Sequence, residues 1–128
     1  MTARRSAAWI YALLTAVVVL FHLSMAAGAP WGHLTMGGRW PGVLPPVMRG
    51  VAVVNAALLA SLAVVVLARA GVLRLRVAAW AVWAIVAWLT LAVLVHIATP
   101  SATERALWLP QIVVMLASAI VVARAPKP

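Results

Sequence analysis

Four long apolar stretches make up most of the chain, and polar residues are largely confined to the segments between them. The stretches cover residues 7–27, 47–68, 77–97 and 107–123. A helix needs about 17 to 25 predominantly apolar residues to cross a hydrocarbon layer of about 30 Å. The pattern therefore predicts an all-α, polytopic membrane protein, in which four transmembrane helices form one bundle and one domain over residues 1–128.

The composition agrees with a membrane protein. Hydrophobic residues make up 67% of the chain and charged residues only 9%, whereas roughly 25% of the residues in a soluble domain are charged. Ala and Val dominate, and Arg is favoured over Lys, which indicates GC-rich bacterial coding and a multi-pass protein of the bacterial plasma (inner) membrane. The absence of Cys excludes disulfides, iron–sulfur ligation and thiol catalysis.

The basic residues determine the predicted orientation. Of the ten Lys and Arg residues, seven lie at the two termini or between the second and third helices, and three lie at the opposite ends of the helices: Arg39, Arg49 and Arg105. Positive charge accumulates in cytoplasmic loops, so we expect an N-in/C-in topology. Because these residues are scattered over helix ends and form no basic face, the net charge of +9 does not indicate nucleic-acid binding.

The first apolar stretch has a second interpretation as a secretory signal peptide. Arg4 and Arg5 precede the stretch, and Ala27-Gly28-Ala29 after it could be a cleavage site. The apolar run is longer than the usual ~7 to 15 residues of such a signal, and Pro30 should hinder cleavage. We therefore favour a transmembrane helix.

The connections between the predicted helices differ in character. The link 70–76 is short, which predicts that the second and third helices are antiparallel neighbours. The outer loop 28–46 is longer and mixes turn residues with Trp31 and Trp40, which a flexible linker would lack. We expect this loop to be ordered, either as a plug at the membrane interface or as a lid over a binding site.

The last connection carries a helix start signal. Ser101 and Glu104 have the S-x-x-E spacing of a capping box, in which each residue satisfies a backbone N–H of the first helical turn. The fourth helix should begin there. Pro110 would then lie inside the helix and kink or interrupt it.

A faint internal repeat relates the first and third helices. The spacing from Trp9 to His22 equals the spacing from Trp83 to His96, and the two helices would run in the same direction. Because an α-helix rises 1.5 Å per residue, equal spacing gives equal rise. We expect the two His residues at similar depth, directed toward a common polar space under the outer loop.

Polar side chains inside a bilayer are costly and often functional. Those near the outer helix ends, together with charged residues of the adjoining loops, predict a ligand-binding pocket. Its candidate residues are His22, Arg39, Arg49, Asn55, His96, Glu104 and Arg105. Purely structural roles are also open: Asn55 could bond another helix, Glu104 could cap its own helix, and each imidazole could bond a backbone carbonyl at the interface.

The sequence contains no recognisable catalytic group. With a single acidic residue, Glu104, hydrolysis by paired carboxylates is excluded, and a Ser-His-Asp triad is not available. No His and Glu spacing matches a catalytic metal signature, so neither a metal nor a cofactor is specified. The sequence favours a non-enzymatic role.

Several segments carry a resemblance to known proteins. Residues 28–32 (GAPWG), 37–42 (GGRWPG) and 99–101 (TPS), with Leu44-Pro45, Glu104-Arg105 and Leu107-Trp108, resemble small actinobacterial-type four-helix integral membrane proteins that have no assigned function. The resemblance covers nearly the whole chain and implies an architecture, but no activity. The length is also similar to that of small multidrug-resistance exporters, but the first-helix Glu on which those depend is absent.

Three functional hypotheses follow from the sequence. The leading one is a non-enzymatic accessory subunit, or a binder of a small or lipid-like ligand at the outer face. The second is a membrane redox protein that holds haem through His22 and His96. The third is a small transporter or channel formed by an oligomer. The expected partners are the lipid bilayer and either further copies of the chain or another membrane protein.

Overall fold

Four long helices account for most of the chain. The computed structural model describes residues 1–126, and in them α1 spans Ala3–Ala26, α2 Pro46–Arg69, α3 Ala79–Ala98 and α4 Ala102–Arg124, with no strand. Each helix is long and apolar enough to cross a membrane. The predicted all-α four-helix bundle is confirmed, and the chain fits an integral multi-pass membrane protein. Lys127, one of the basic residues behind the predicted orientation, lies outside the described part.

Two helices begin earlier than their apolar stretches, because polar side chains cap them. The Thr2 hydroxyl accepts the Arg5 backbone N–H at 3.2 Å, so α1 begins at Ala3, before the predicted residue 7. The Ser101 hydroxyl accepts the Glu104 backbone N–H at 3.2 Å, so α4 begins at Ala102, before residue 107. Apolar content marks the part of a helix suited to lipid, whereas capping decides where its hydrogen bonding starts.

The helices do not pack evenly around the bundle. Helix α1 packs against α2 and α4, and α3 packs mainly against α4, whereas α2 and α3 make few contacts. The sequence predicted that α2 and α3 are antiparallel neighbours; they run in opposite directions and line a common groove, but they contact each other little. Small residues such as Ala52 and Ala56 are buried on α2, whereas the partly exposed Trp80 and Trp88 of α3 line a groove between α2 and α3.

The two ends of the bundle are filled differently. We call the end with both termini and the α2–α3 link the terminal end, and the opposite end the loop end. The main core, which includes the fully buried Tyr11, Val66, Val82 and Val122, draws on all four helices and lies toward the terminal end. A smaller cluster around Met25 lies at the loop end. The loop end therefore has less side-chain filling.

The long loop, residues 27–45, folds over the loop end. It contains two short 3₁₀ turns, Gly32–Leu34 and Met36–Gly38. Leu44 is buried with Met25 and Ala52, and the Trp31 ring stacks on Phe21 with their centroids 6.0 Å apart. The loop is thus an ordered cover that packs on the helices.

Candidate functional site

A cavity of about 310 Å³ lies at the loop end, and we call it the loop-end cavity. All four helices line it, and the long loop contributes Thr35 and Met36. The cavity lies where the core is thin and the long loop covers the helix ends. Of the predicted site residues, it brings together four: His22, Asn55, His96 and Glu104.

Both imidazoles are held in the same way by their own helices. His22 Nδ1 lies 2.9 Å from the Val18 carbonyl oxygen, and His96 Nδ1 lies 2.7 Å from the Ala92 carbonyl oxygen. A carbonyl oxygen can only accept, so each Nδ1 carries the proton that it donates. In a neutral ring, Nε2 is then the unprotonated nitrogen and a hydrogen-bond acceptor.

Glu104 connects the fourth helix to the long loop. Its side chain is nearly buried, and Oε2 accepts the Gly37 backbone N–H at 2.8 Å and the Thr99 hydroxyl at 3.4 Å. Only half of the predicted capping box forms, because Ser101 caps Glu104 while the carboxylate turns to the loop. The charge-assisted bond from Gly37 offsets part of the cost of burying the carboxylate.

The other carboxylate oxygen faces an imidazole without a hydrogen bond. Glu104 Oε1 lies 3.8 Å from His96 Nε2, which is beyond hydrogen-bond distance. With a neutral imidazole, both atoms are acceptors, and neither can satisfy the other. With the ring in that neutral form, this part of the cavity offers two acceptors to a donor placed between them.

Asn55 lies on the cavity wall contributed by α2. It is partly exposed, and in the described part of the chain its amide makes no hydrogen bond to another helix. The structure thus gives no support to the expectation that Asn55 bonds a neighbouring helix. Its amide can both donate and accept, and it remains free to contact a bound molecule.

The three predicted arginines do not line the cavity. Arg49 Nε donates to the Ala26 carbonyl at 2.7 Å, and Arg105 Nη2 donates to the Thr99 carbonyl at 2.7 Å. The Arg39 guanidinium lies over the Trp40 ring, 5.0 Å from its centroid. The last carbonyls of a helix lack intrahelical partners and form the negative end of its dipole, which is why Arg49 and Arg105 bind at the ends of α1 and α3.

Aromatic residues form a part of the site that the sequence did not predict. Phe21, Trp88 and Trp108 line the cavity. Trp108 is buried, its Nε1–H donates to the Leu34 carbonyl at 2.7 Å, and its ring lies edge-on to Phe21 with the centroids 4.6 Å apart. In the sequence, these three aromatic residues lie on α1, α3 and α4, each within about three turns of the loop end. This signal is weak, because the chain contains seven Trp.

The described side chains offer no complete metal site. Residues 1–126 contain no group of three His, Cys, Asp or Glu side chains that could hold a metal ion. The two His that line the cavity are the available nitrogen ligands there.

No family model, curated protein or solved structure matches the chain.

Proposed function

We propose that the protein binds a small, lipid-like ligand in the loop-end cavity, as a non-enzymatic binding or accessory protein of a bacterial plasma membrane. The observation that carries this proposal is the cavity itself. Its volume of about 310 Å³ falls at the lower end of the range of ~300 to 1,000 Å³ for small-molecule sites. The lining is mostly apolar with a few converging polar groups, as is common in such sites.

The order of polar and apolar groups along the cavity supports a lipid-like ligand. His96 and Glu104 lie near the loop-end termini of α3 and α4, whereas Leu58, Ile112 and Met115 lie farther along their helices toward the terminal end. A bilayer lipid has the same order, with a polar head at the interface and an apolar chain toward the centre. Such a molecule would place its head group beside His96 and Glu104 and its chain beside Leu58, Ile112 and Met115.

The loop end would face the outside of the cell in this proposal. The terminal end carries Arg4, Arg5, Arg69, Arg74, Arg76 and Arg124, against Arg39, Arg49 and Arg105 at the loop end. This bias supports a cytoplasmic terminal end. The cavity would then open within the outer leaflet.

Filling the cavity tests the proposal. Ala92 lines the cavity, so Ala92→Trp should occupy the space and exclude the ligand. Leu91→Trp is the control, because Leu91 is 54% exposed on the same helix and does not line the cavity. Native mass spectrometry of protein released from mild detergent should show a lipid-sized adduct on the wild type and on Leu91→Trp. No adduct on the wild type, or an equal adduct on Ala92→Trp, would contradict the proposal.

A membrane haem protein is the second candidate, and one observation favours it. His22 and His96 line the same cavity, and each is oriented by a bond from Nδ1 to a carbonyl, which is how metal-binding imidazoles are commonly held. Haem would be held through the two Nε2 atoms. After haem-replete expression, the absorbance spectrum of the same preparation should lack a Soret band if the lipid-like ligand is correct.

A further inference from the structure

At the polar end of the loop-end cavity, a carboxylate oxygen and an imidazole nitrogen face each other with no donor between them. Glu104 Oε1 and His96 Nε2 lie 3.8 Å apart. His22, whose Nδ1 is bonded to the Val18 carbonyl, lines the same cavity. A head group with several N–H donors would satisfy these acceptors. A head group that only accepts hydrogen bonds would leave them unpaired, which is costly in a buried site.

The charge of the lining also favours a cation. Glu104 is the single acidic residue of the chain, and it lines the cavity, whereas none of the arginines in the described residues does. Trp108, four residues after Glu104 on α4, also lines the cavity, and aromatic rings attract cations. The nine arginines and one lysine give the chain as a whole a strongly positive charge. The cavity lining differs, because it contains the acidic Glu104 and no arginine.

An apolar groove continues from the cavity toward the terminal end. The groove lies between α2 and α3, is lined by residues such as Leu62 and Val65 on α2 and Trp80 on α3, and shares Leu58 and Trp88 with the cavity. From His96 to Trp80 the two spaces extend about 24 Å along α3 at 1.5 Å per residue. Half of a hydrocarbon core is only ~15 Å thick, so this length suits a long chain.

The loose packing of α2 against α3 gives the groove access to lipid. These helices make few contacts, and Leu58, Trp80 and Trp88 are 43%, 72% and 47% exposed. Because the groove joins a polar cavity at one end, an amphiphile can occupy both spaces at once. A transmembrane helix of another chain could cover the groove, but it would leave the acceptors of the cavity unpaired.

We propose that the ligand is a single-chain primary amine, and that it reaches the cavity sideways from the bilayer between α2 and α3. The protonated amine lies between Glu104 and His96. The hydrocarbon chain passes between Leu58 and Trp88 and lies in the groove between α2 and α3. This inference rests on the proposed function, because it identifies the ligand class of the same cavity.

The test compares three probes that share one chain and differ in head group. Dodecylamine, dodecanol and dodecyl sulfate are titrated separately, at neutral pH, into the protein in an uncharged detergent, with native mass spectrometry as the readout. Since loss of a buried charge partner weakens binding by more than about tenfold, the amine should bind at least about tenfold more tightly than the other two. The wild-type comparison needs no variant to fold.

Two variants separate the head group from the route of access. Glu104→Gln keeps a carbonyl acceptor for the Gly37 N–H and removes the charge, so it should abolish the preference for the amine. Leu58→Trp fills the point where the cavity and the groove meet and should weaken binding of the amine. Leu91→Trp is again the control and should bind as the wild type does.

Each outcome supports or overturns a defined part of the proposal. If all three probes bind equally and binding is lost in Ala92→Trp, the assignment of an amine ligand is wrong but the proposed function stands. A preference for the alcohol or the sulfate has the same consequence. No binding of any probe, together with no co-purifying adduct, would overturn both. An amine preference with equal binding by Leu58→Trp and Leu91→Trp would overturn access between α2 and α3. A wild-type dimer that Leu58→Trp dissociates would show a helix in the groove and overturn the inference.

Discussion

Gly32 is a position in the long loop where no side chain fits. A Cβ at Gly32 would overlap the Trp40 carbonyl oxygen and lie 2.7 Å from the Gly42 carbonyl oxygen, which accepts the Gly32 N–H at 2.8 Å. Gly32→Ala should therefore displace the loop and lower the free energy of unfolding by roughly 1 to 3 kcal/mol, as overpacking does elsewhere. Thermal unfolding in detergent, together with hydrogen exchange over residues 27–45, measures both effects.

Gly50→Ala is the matched control for this substitution. Gly50 lies in α2, and a Cβ there meets no atom within 4 Å. Because Ala is a better helix former than Gly by up to about 1 kcal/mol, this variant should be neutral or slightly stabilised. If both variants behave alike, the close approach at Gly32 does not hold the loop.

Single residues also show what the sequence could not predict about the site. The spacing of Ser101 and Glu104 predicted the start of α4 correctly, because capping depends on neighbours along the chain. The bond from Gly37 to the Glu104 carboxylate joins residues 67 positions apart, so local spacing cannot indicate it. The placement of Arg49 and Arg105 also depends on which helix ends lie within reach of each guanidinium.

At the scale of elements, Trp108 fastens the long loop to α4. Its Nε1–H donates to the Leu34 carbonyl at 2.7 Å, and its side chain is 7% exposed. Trp108→Phe keeps an aromatic ring but leaves that carbonyl without this donor, which should cost about 1 to 3 kcal/mol. Hydrogen exchange of residues 27–45 should become faster while exchange in the helices changes little.

Trp83→Phe is the control for this loop attachment. Trp83 is 47% exposed on α3 and makes no contribution to the cavity lining. It should leave exchange in the loop unchanged. Loop exchange that is equally fast in Trp83→Phe and Trp108→Phe, or unchanged in both, would show that the indole bond does not fasten the loop.

Elements differ in how far the sequence determines them. Apolar length was enough to predict four helices, because a bilayer requires that length of each one. The packing partners were not predictable from the connections, since the short link between α2 and α3 joins helices that hardly touch. Helix packing depends on which residues each helix face carries. Because these helices are apolar on all faces, the sequence does not distinguish the face that packs from the face that is exposed.

The whole molecule combines a filled terminal end with a hollow loop end. The main core with Tyr11, Val66 and Val122 holds the helices together near the termini, and Arg4 and Arg5 add bonds to the Pro126 and Gly71 carbonyls at 2.7 and 2.8 Å. A cavity can persist at the other end because the helices are already fixed. The sequence predicted that polar residues gather there, but the volume depends on how four helices and a loop close, which no single segment specifies.

The orientation of the whole molecule is the last prediction. Fusions of a reporter after Arg76 and after Lys127 should behave as cytoplasmic, and a fusion after Gly38 should behave as external. The reason is that cytoplasmic loops retain Arg and Lys, and six of the nine arginines lie at the terminal end. An enzyme reporter active only in the cytoplasm, paired with one active only outside, gives opposite signals at each site and serves as its own control.

External signals after Lys127 and cytoplasmic signals after Gly38 would invert the molecule and place the cavity in the inner leaflet. The amine ligand would then have to be supplied from the cytoplasmic side, while the contacts that bind it would be unchanged.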